Sequence, residues 1–252
     1  MTVKSWPAKG VATRTKPVEL VDKYFYLFMS LLIAAVVVYG FSHTVERKLI
    51  HAVPVRPLLL YLHAAIFSGW VVFFIFQSAL IRMHNVRLHR LMGWFGAALG
   101  VAIPVMGIST AITMARFNIL HFHRTDAASG LIVSFFDMTA FTIPFALAIY
   151  WRKKPEFHRR LILIATCALT SAAFARFPHY FVPPVMFFYA DVDLLILLGV
   201  ARDLIVNRRI HQVYLYALPV LILGQIAALY TPAEDLPYWL RIVHAMLVRD
   251  GG

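Results

Sequence analysis

The chain has 252 residues, 61% of them hydrophobic and only 14% charged. A soluble domain is nearer half apolar and a quarter charged, whereas here the charges fall in short bursts between runs of about 18 or more apolar residues, long enough to cross a bilayer core. That pattern excludes an ordinary soluble enzyme, and the net charge of +12 follows from basic loops held on the cytoplasmic side rather than from nucleic-acid binding.

In chain order, residues 1–23 read as a cytoplasmic basic tail. They are too long and too polar for the n-region of a signal peptide, and no A-x-A cleavage pattern follows the first apolar run. A transmembrane domain is expected over 24–230, with spans near 24–41, 58–81, 91–114, 130–151, 161–177, 188–206 and 212–230. No ten-residue alternating pattern accompanies them, so the fold class is an all-α polytopic helical bundle rather than a barrel. Residues 231–252 form an outer tail in which "LPYWLRIVHAMLV" is too short to span and reads as an interfacial helix.

Orientation follows from the basic residues. With the N-terminus inside, the inner segments carry 16 of the 24 Lys and Arg, five in the tail, three in 82–90, five in 152–160 and three in 202–209. Positive-inside then puts the N-terminus in the cytoplasm and the C-terminus outside. The single cysteine, Cys167, excludes an intramolecular disulfide and Cys-ligated clusters. No G-x-S-x-G, H-E-x-x-H or Walker loop occurs.

Two groups of residues carry candidate chemistry. Near the inner surface, "RLHRLMGW", "EFHRRLILIA" and "NRRIHQVYLY" place His89, His158 and His211 beside arginines at three helix starts. These read first as wet helix ends and lipid-headgroup contacts, and second as a cofactor or anion site in which His89 and His158 are ligands and the arginines meet haem propionates. Asp203 is the expected partner for one of the arginines. In the outer half, His63, Asp137, Arg176, Asp191 and Asp193 lie at a depth where ionisable groups are costly and face the bundle interior. Asp137 is expected to pair with Arg176 or His63.

His63, Phe67, Trp70, Phe74 and Gln77 form one stripe down the second span, suited to a quinone or porphyrin pocket or to a packed core face. His121 and His123, with His63 and His179, supply four imidazoles on the outer side, a candidate metal set. The third span carries Gly96 and Gly100 at a spacing that lets helices approach closely.

The sequence of features "LHAAIFSGWVVFFIFQ", "RLHRLMGW", "PEFHRRLILIATCAL", "ARFP" and "RDLIVNRRIHQVYLY" resembles an uncharacterised family of bacterial multi-spanning membrane proteins, over about residues 58 to 216. The layout is also loosely reminiscent of membrane cytochromes of the b561 type, in which helix histidines bind haem. The resemblance implies a multi-pass protein of the bacterial inner (cytoplasmic) membrane. Three readings follow. The first is a redox-linked protein holding haem b, a metal ion or a quinone through His63, Trp70, Gln77, His89, His158, Asp137 and Arg176. The second is an accessory or assembly subunit without chemistry of its own, working within a larger membrane complex or as a homo-oligomer amid membrane lipids. The third is a transporter with an outer-facing polar cavity around Asp137 and Arg176.

Overall fold

The computed structural model describes residues 15–123, 127–178, 188–230 and 237–248. Within them the chain is helical throughout, with no strand. Residues 1–14 of the expected tail, His179 and most of the "FPHYFVPPV" turn lie outside the described residues.

Helix α1 (Lys16–Ser42) starts eight residues before the expected span, because Pro17 is preset for a first turn and Glu19 favours that end of a helix. Its buried face, Phe25, Met29 and Ile33, recurs every fourth residue. After a π-helical turn, Glu46–Ile50, α2 (Leu58–Arg82) follows Pro57 and ends where His84 takes a left-handed φ of 59°. Asn85 then caps α3 (Val86–Phe122), its side-chain oxygen accepting the Leu88 N–H at 3.2 Å. The 37 residues of α3 extend for roughly 55 Å, well past a bilayer core of about 30 Å. Helix α4 is Ala127–Tyr150.

The span expected at 161–177 is corrected. Helix α5 (Pro155–Ala168) begins earlier, at a proline in its first turn, and stops at a turn before the short α6 (Ser171–Phe174). At that turn the Thr170 hydroxyl donates to the Cys167 carbonyl at 2.6 Å, and the Thr170 N–H takes the same acceptor at 2.9 Å. A threonine bonding its own backbone in this way competes with the continuing helix. Helix α7 (Ala190–Asn207) ends with Arg208 in the left-handed region at φ 56°, and α8 is Gln212–Tyr230. The C-terminal segment forms α9 (Pro237–Val248). It lies on the end of α3, where Arg116 Nε donates to the Met246 carbonyl at 2.7 Å and Trp239 meets Phe135 edge-on.

Five helices, α1, α2, α3, α4 over Gly130–Tyr150, and α8, are long and apolar enough to cross a membrane. Large apolar side chains such as Val72, Val101, Val105, Val220 and Leu223 are exposed around the bundle. A soluble protein rarely exposes apolar surface on this scale, and the arrangement agrees with an integral membrane protein. Helix α5 is the most enclosed element, with every residue from Leu163 to Ala168 buried against α4, α7 and α8. Close packing holds the periphery: a Cβ on Gly100 would lie 2.1 Å from the Phe145 ring, and one on Gly40 2.3 Å from the Ala173 carbonyl oxygen.

Candidate functional site

The α2–α3, α4–α5 and α7–α8 connections meet the start of α1 at one end of the bundle, here the basic end. An ion network ties it together. Arg160, on the first turns of α5, reaches across to Asp203 on α7 with two hydrogen bonds, Nε to Oδ2 at 2.7 Å and Nη2 to Oδ1 at 2.6 Å. Arg202 donates to the same Asp203 at 2.8 Å and also pairs with Asp22 on α1. Glu156 accepts from both Arg159 and Arg160, and Asn207 donates to Asp203 at 3.1 Å. Arg160, Arg202 and Asp203 are buried, so each charge here depends on its partner. Asp203 thus serves two arginines rather than the one expected from sequence, and Asp22 joins it without any sequence signal.

On the other side of α5 the same end holds a different arrangement. His89 of α3 and His158 of α5 lie with ring centres 6.4 Å apart and planes at 78°. His158 Nδ1 is 3.0 Å from the Ala148 carbonyl, and His89 faces the main chain of Gln77 on α2. A carbonyl only accepts, so His158 Nδ1 is the N–H, and in the neutral imidazole its other nitrogen keeps its lone pair. His89 Nδ1 is buried with no partner, and so are both side-chain amide atoms of Gln77. Three of the seven cofactor-binding candidates therefore meet at one place, with acceptor and donor capacity in reserve.

The third inner histidine is not part of this group. His211 lies edge-on to Phe157, with ring centres 4.9 Å apart, and its Nδ1 accepts the Val213 N–H at 3.2 Å as a start to α8. Burial first, and then the Arg160 charge, hold its imidazole below the ordinary histidine value, which keeps that nitrogen an acceptor.

The outer candidates are dispersed. His63 stacks on Phe67 with ring centres 4.0 Å apart and faces the main chain of Met106. His121 stacks on Phe117 and approaches its carbonyl at 3.0 Å. His123 closes α3 at φ 50°. Met106 lies about 22 Å along α3 from His121, so His63 does not join the H-x-H pair, and His179 is outside the described residues. Among the described residues no group of three or more His, Cys, Asp and Glu could hold a metal ion. In the α2 stripe, Trp70 is packed edge-on against Phe141 and Phe145 and Phe74 is buried, so its middle is core rather than pocket.

Asp137 does not pair with Arg176 or His63. It accepts from the Ser171 hydroxyl at 2.7 Å and from Tyr189 at 2.8 Å. Arg176 instead donates to the Ala172 carbonyl, its guanidinium over the Phe41 ring at 4.4 Å. Beside Asp137 is a cavity of about 10 Å³, also lined by Tyr189 and Gln225. Gln225 donates to Asp193 at 2.9 Å. Ser171, Tyr189 and Gln225 escaped the sequence reading, although a glutamine inside the apolar run of α8 was a visible signal.

No family model matches the chain, and neither a curated protein nor a solved structure does.

Proposed function

We propose that the chain is a redox-linked protein crossing the membrane seven times, with its N-terminus inside, and that it binds the head group of a lipid-soluble quinone at the basic end through His89, His158 and Gln77. One observation carries this reading. Two histidines from the first turns of separate helices face each other, His158 with Nδ1 tied to a main-chain carbonyl and His89 with a buried, unpartnered Nδ1, next to a glutamine with a buried, unpartnered amide. The imidazole lone pairs would accept the O–H groups of a quinol, and the Gln77 amide N–H would donate to a quinone carbonyl. Leaving such groups buried and unmatched costs about 1–3 kcal/mol each, which favours a polar, neutral ligand. Leu91 and Trp94, within two turns of His89 on α3, are exposed on the apolar surface, where a ligand dissolved in lipid would arrive.

The other cofactors fit this donor set less well. A haem iron takes two imidazoles readily, because the macrocycle supplies its remaining nitrogen donors. It also needs a flat slot alongside, and the small residues of α3 that would form one, Gly96 and Gly100, are filled by the rings of Phe73 and Phe145. A bare divalent cation would have two imidazoles and would face the Arg90 charge, which acts on His89.

The test is to purify the full chain in mild detergent, extract it with organic solvent and quantify quinone per chain. A visible spectrum, oxidised and reduced, and a metal analysis are taken on the same sample. The account expects retained quinone, no Soret band and no stoichiometric metal. A reducible Soret band would instead assign the histidine pair to haem b. A colourless protein without quinone, co-purifying with other subunits, would make it an accessory subunit.

A further inference from the structure

We infer that Asp137 is a proton-binding site at the heart of the bundle, reached from the end of the molecule opposite the basic end. Four observations support it, and none depends on the quinone site.

First, both carboxylate oxygens of Asp137 are engaged by hydroxyls, Ser171 on Oδ2 and Tyr189 on Oδ1. Among the described residues no Lys, Arg or His contacts this carboxylate. A structural carboxylate at membrane depth is normally neutralised by a cation, so an ionisable group without one marks an ion or proton pathway. Second, Ser171 is the first residue after the break between α5 and α6. Interrupted helices at this depth are tolerated where they are enclosed by protein or line a cavity. Third, the cavity beside Asp137 and Tyr189, about 10 Å³, is close to the smallest space that admits one water. Fourth, Gln225 on the far wall is bonded to Asp193, in the first turn of α7 towards the opposite end. Asp193, Gln225, the cavity and Asp137 thus form a polar route through otherwise apolar walls of Phe136, Val192, Ile196 and Leu221.

The titratable groups facing the site are few. Helix α7 and the turn before it contribute Asp193 and Tyr189, α8 contributes uncharged Gln225, and α3 meets α4 here through Gly107 against Met138. Cys167 is buried on α5, and Arg176 is committed to Ala172 and Phe41. The step is simple. A hydronium in the cavity gives its proton to one Asp137 oxygen, the carboxylate becomes a neutral acid, and the hydroxyl that had donated to that oxygen turns to accept. Ser171 and Tyr189 can both make that turn, since a hydroxyl is donor and acceptor at once. A clamp meant only to join α4 to α6 and α7 would have no need of the cavity or of Gln225.

Infrared difference spectra of the full chain in lipid vesicles, taken between neutral and acidic pH, test the assignment. The account predicts a carboxylic C=O band that appears on acidification, is lost in Asp137→Asn, and is displaced in Tyr189→Phe and Ser171→Ala, which keep the carboxylate should Asp137→Asn fail to fold. A band that survives Asp137→Asn, or one indifferent to Tyr189→Phe and Ser171→Ala, overturns it. A carboxylate signal that ignores pH but responds to added sodium chloride would make this a metal-cation site and overturn it equally.

Discussion

Asp203 is the residue on which the basic end turns. It is the shared acceptor of Arg160 and Arg202, and all three are buried. Removing it leaves two guanidinium groups facing each other away from water, whereas Glu156, the other acceptor of Arg160, has a side chain 55% exposed. Asp203→Ala is therefore expected to destabilise the bundle by about 3–5 kcal/mol and Glu156→Gln by less than about 1 kcal/mol, as read by thermal unfolding in detergent. The pH dependence at Glu156 has a definite sign. Partial burial pushes its carboxyl up, but the hydrogen bond and charge of Arg160, with those of Arg159, more than reverse this and hold it below the ordinary glutamate value. Such a group stabilises the fold above its unfolded pKa of about 4.3, and its contribution is lost as pH falls through the folded value. The stability gap between wild type and Glu156→Gln should thus be constant above about pH 5 and shrink below it. A gap that widens on acidification would contradict the pairing.

At the scale of elements, the apolar runs were legible because a bilayer imposes an unbroken stretch of suitable length on each crossing. The start of α1 and the break after α5 were not. Nothing in "CALTSAAF" forbids a continuous helix, and the interruption depends on Thr170 bonding Cys167 and on α6 lying against Gly40 of α1. The sequence offered His89 and His158 as a pair only on the condition that their spans are neighbours, because periodicity tells which face a residue occupies but not which helix that face meets. His63, for all its depth inside a span, is stacked on Phe67. The close approaches give a direct test of packing. Gly40→Ala would set a Cβ 2.3 Å from the Ala173 main-chain oxygen, Gly100→Ala would push on the Phe145 ring, and Gly69→Ala meets nothing within 4 Å. Overpacking costs about 1–3 kcal/mol, so the order of unfolding midpoints should be Gly69→Ala highest, then Gly100→Ala, then Gly40→Ala. The backbone at Ala173 has less freedom to move aside than a ring.

For the whole molecule, the proposed topology rests on the 16 of 24 basic residues that fall on one side. The one native cysteine is fully buried, so introduced cysteines report cleanly. In intact cells a membrane-impermeant thiol reagent should label Val55→Cys and leave Arg152→Cys unlabelled until the membrane is opened. The reverse pattern would invert the bundle. In the expected orientation the proposed quinone site would lie at the cytoplasmic face, and the proposed Asp137 site would open towards the outside.

The most direct test of the central claim is the quinone content of purified wild type, His89→Ala, His158→Ala and His63→Ala, compared at equal folded fraction. The account predicts retained quinone in wild type and His63→Ala, and loss of most of it in both His89→Ala and His158→Ala. Equal quinone in all four proteins, or loss only in His63→Ala, would contradict it.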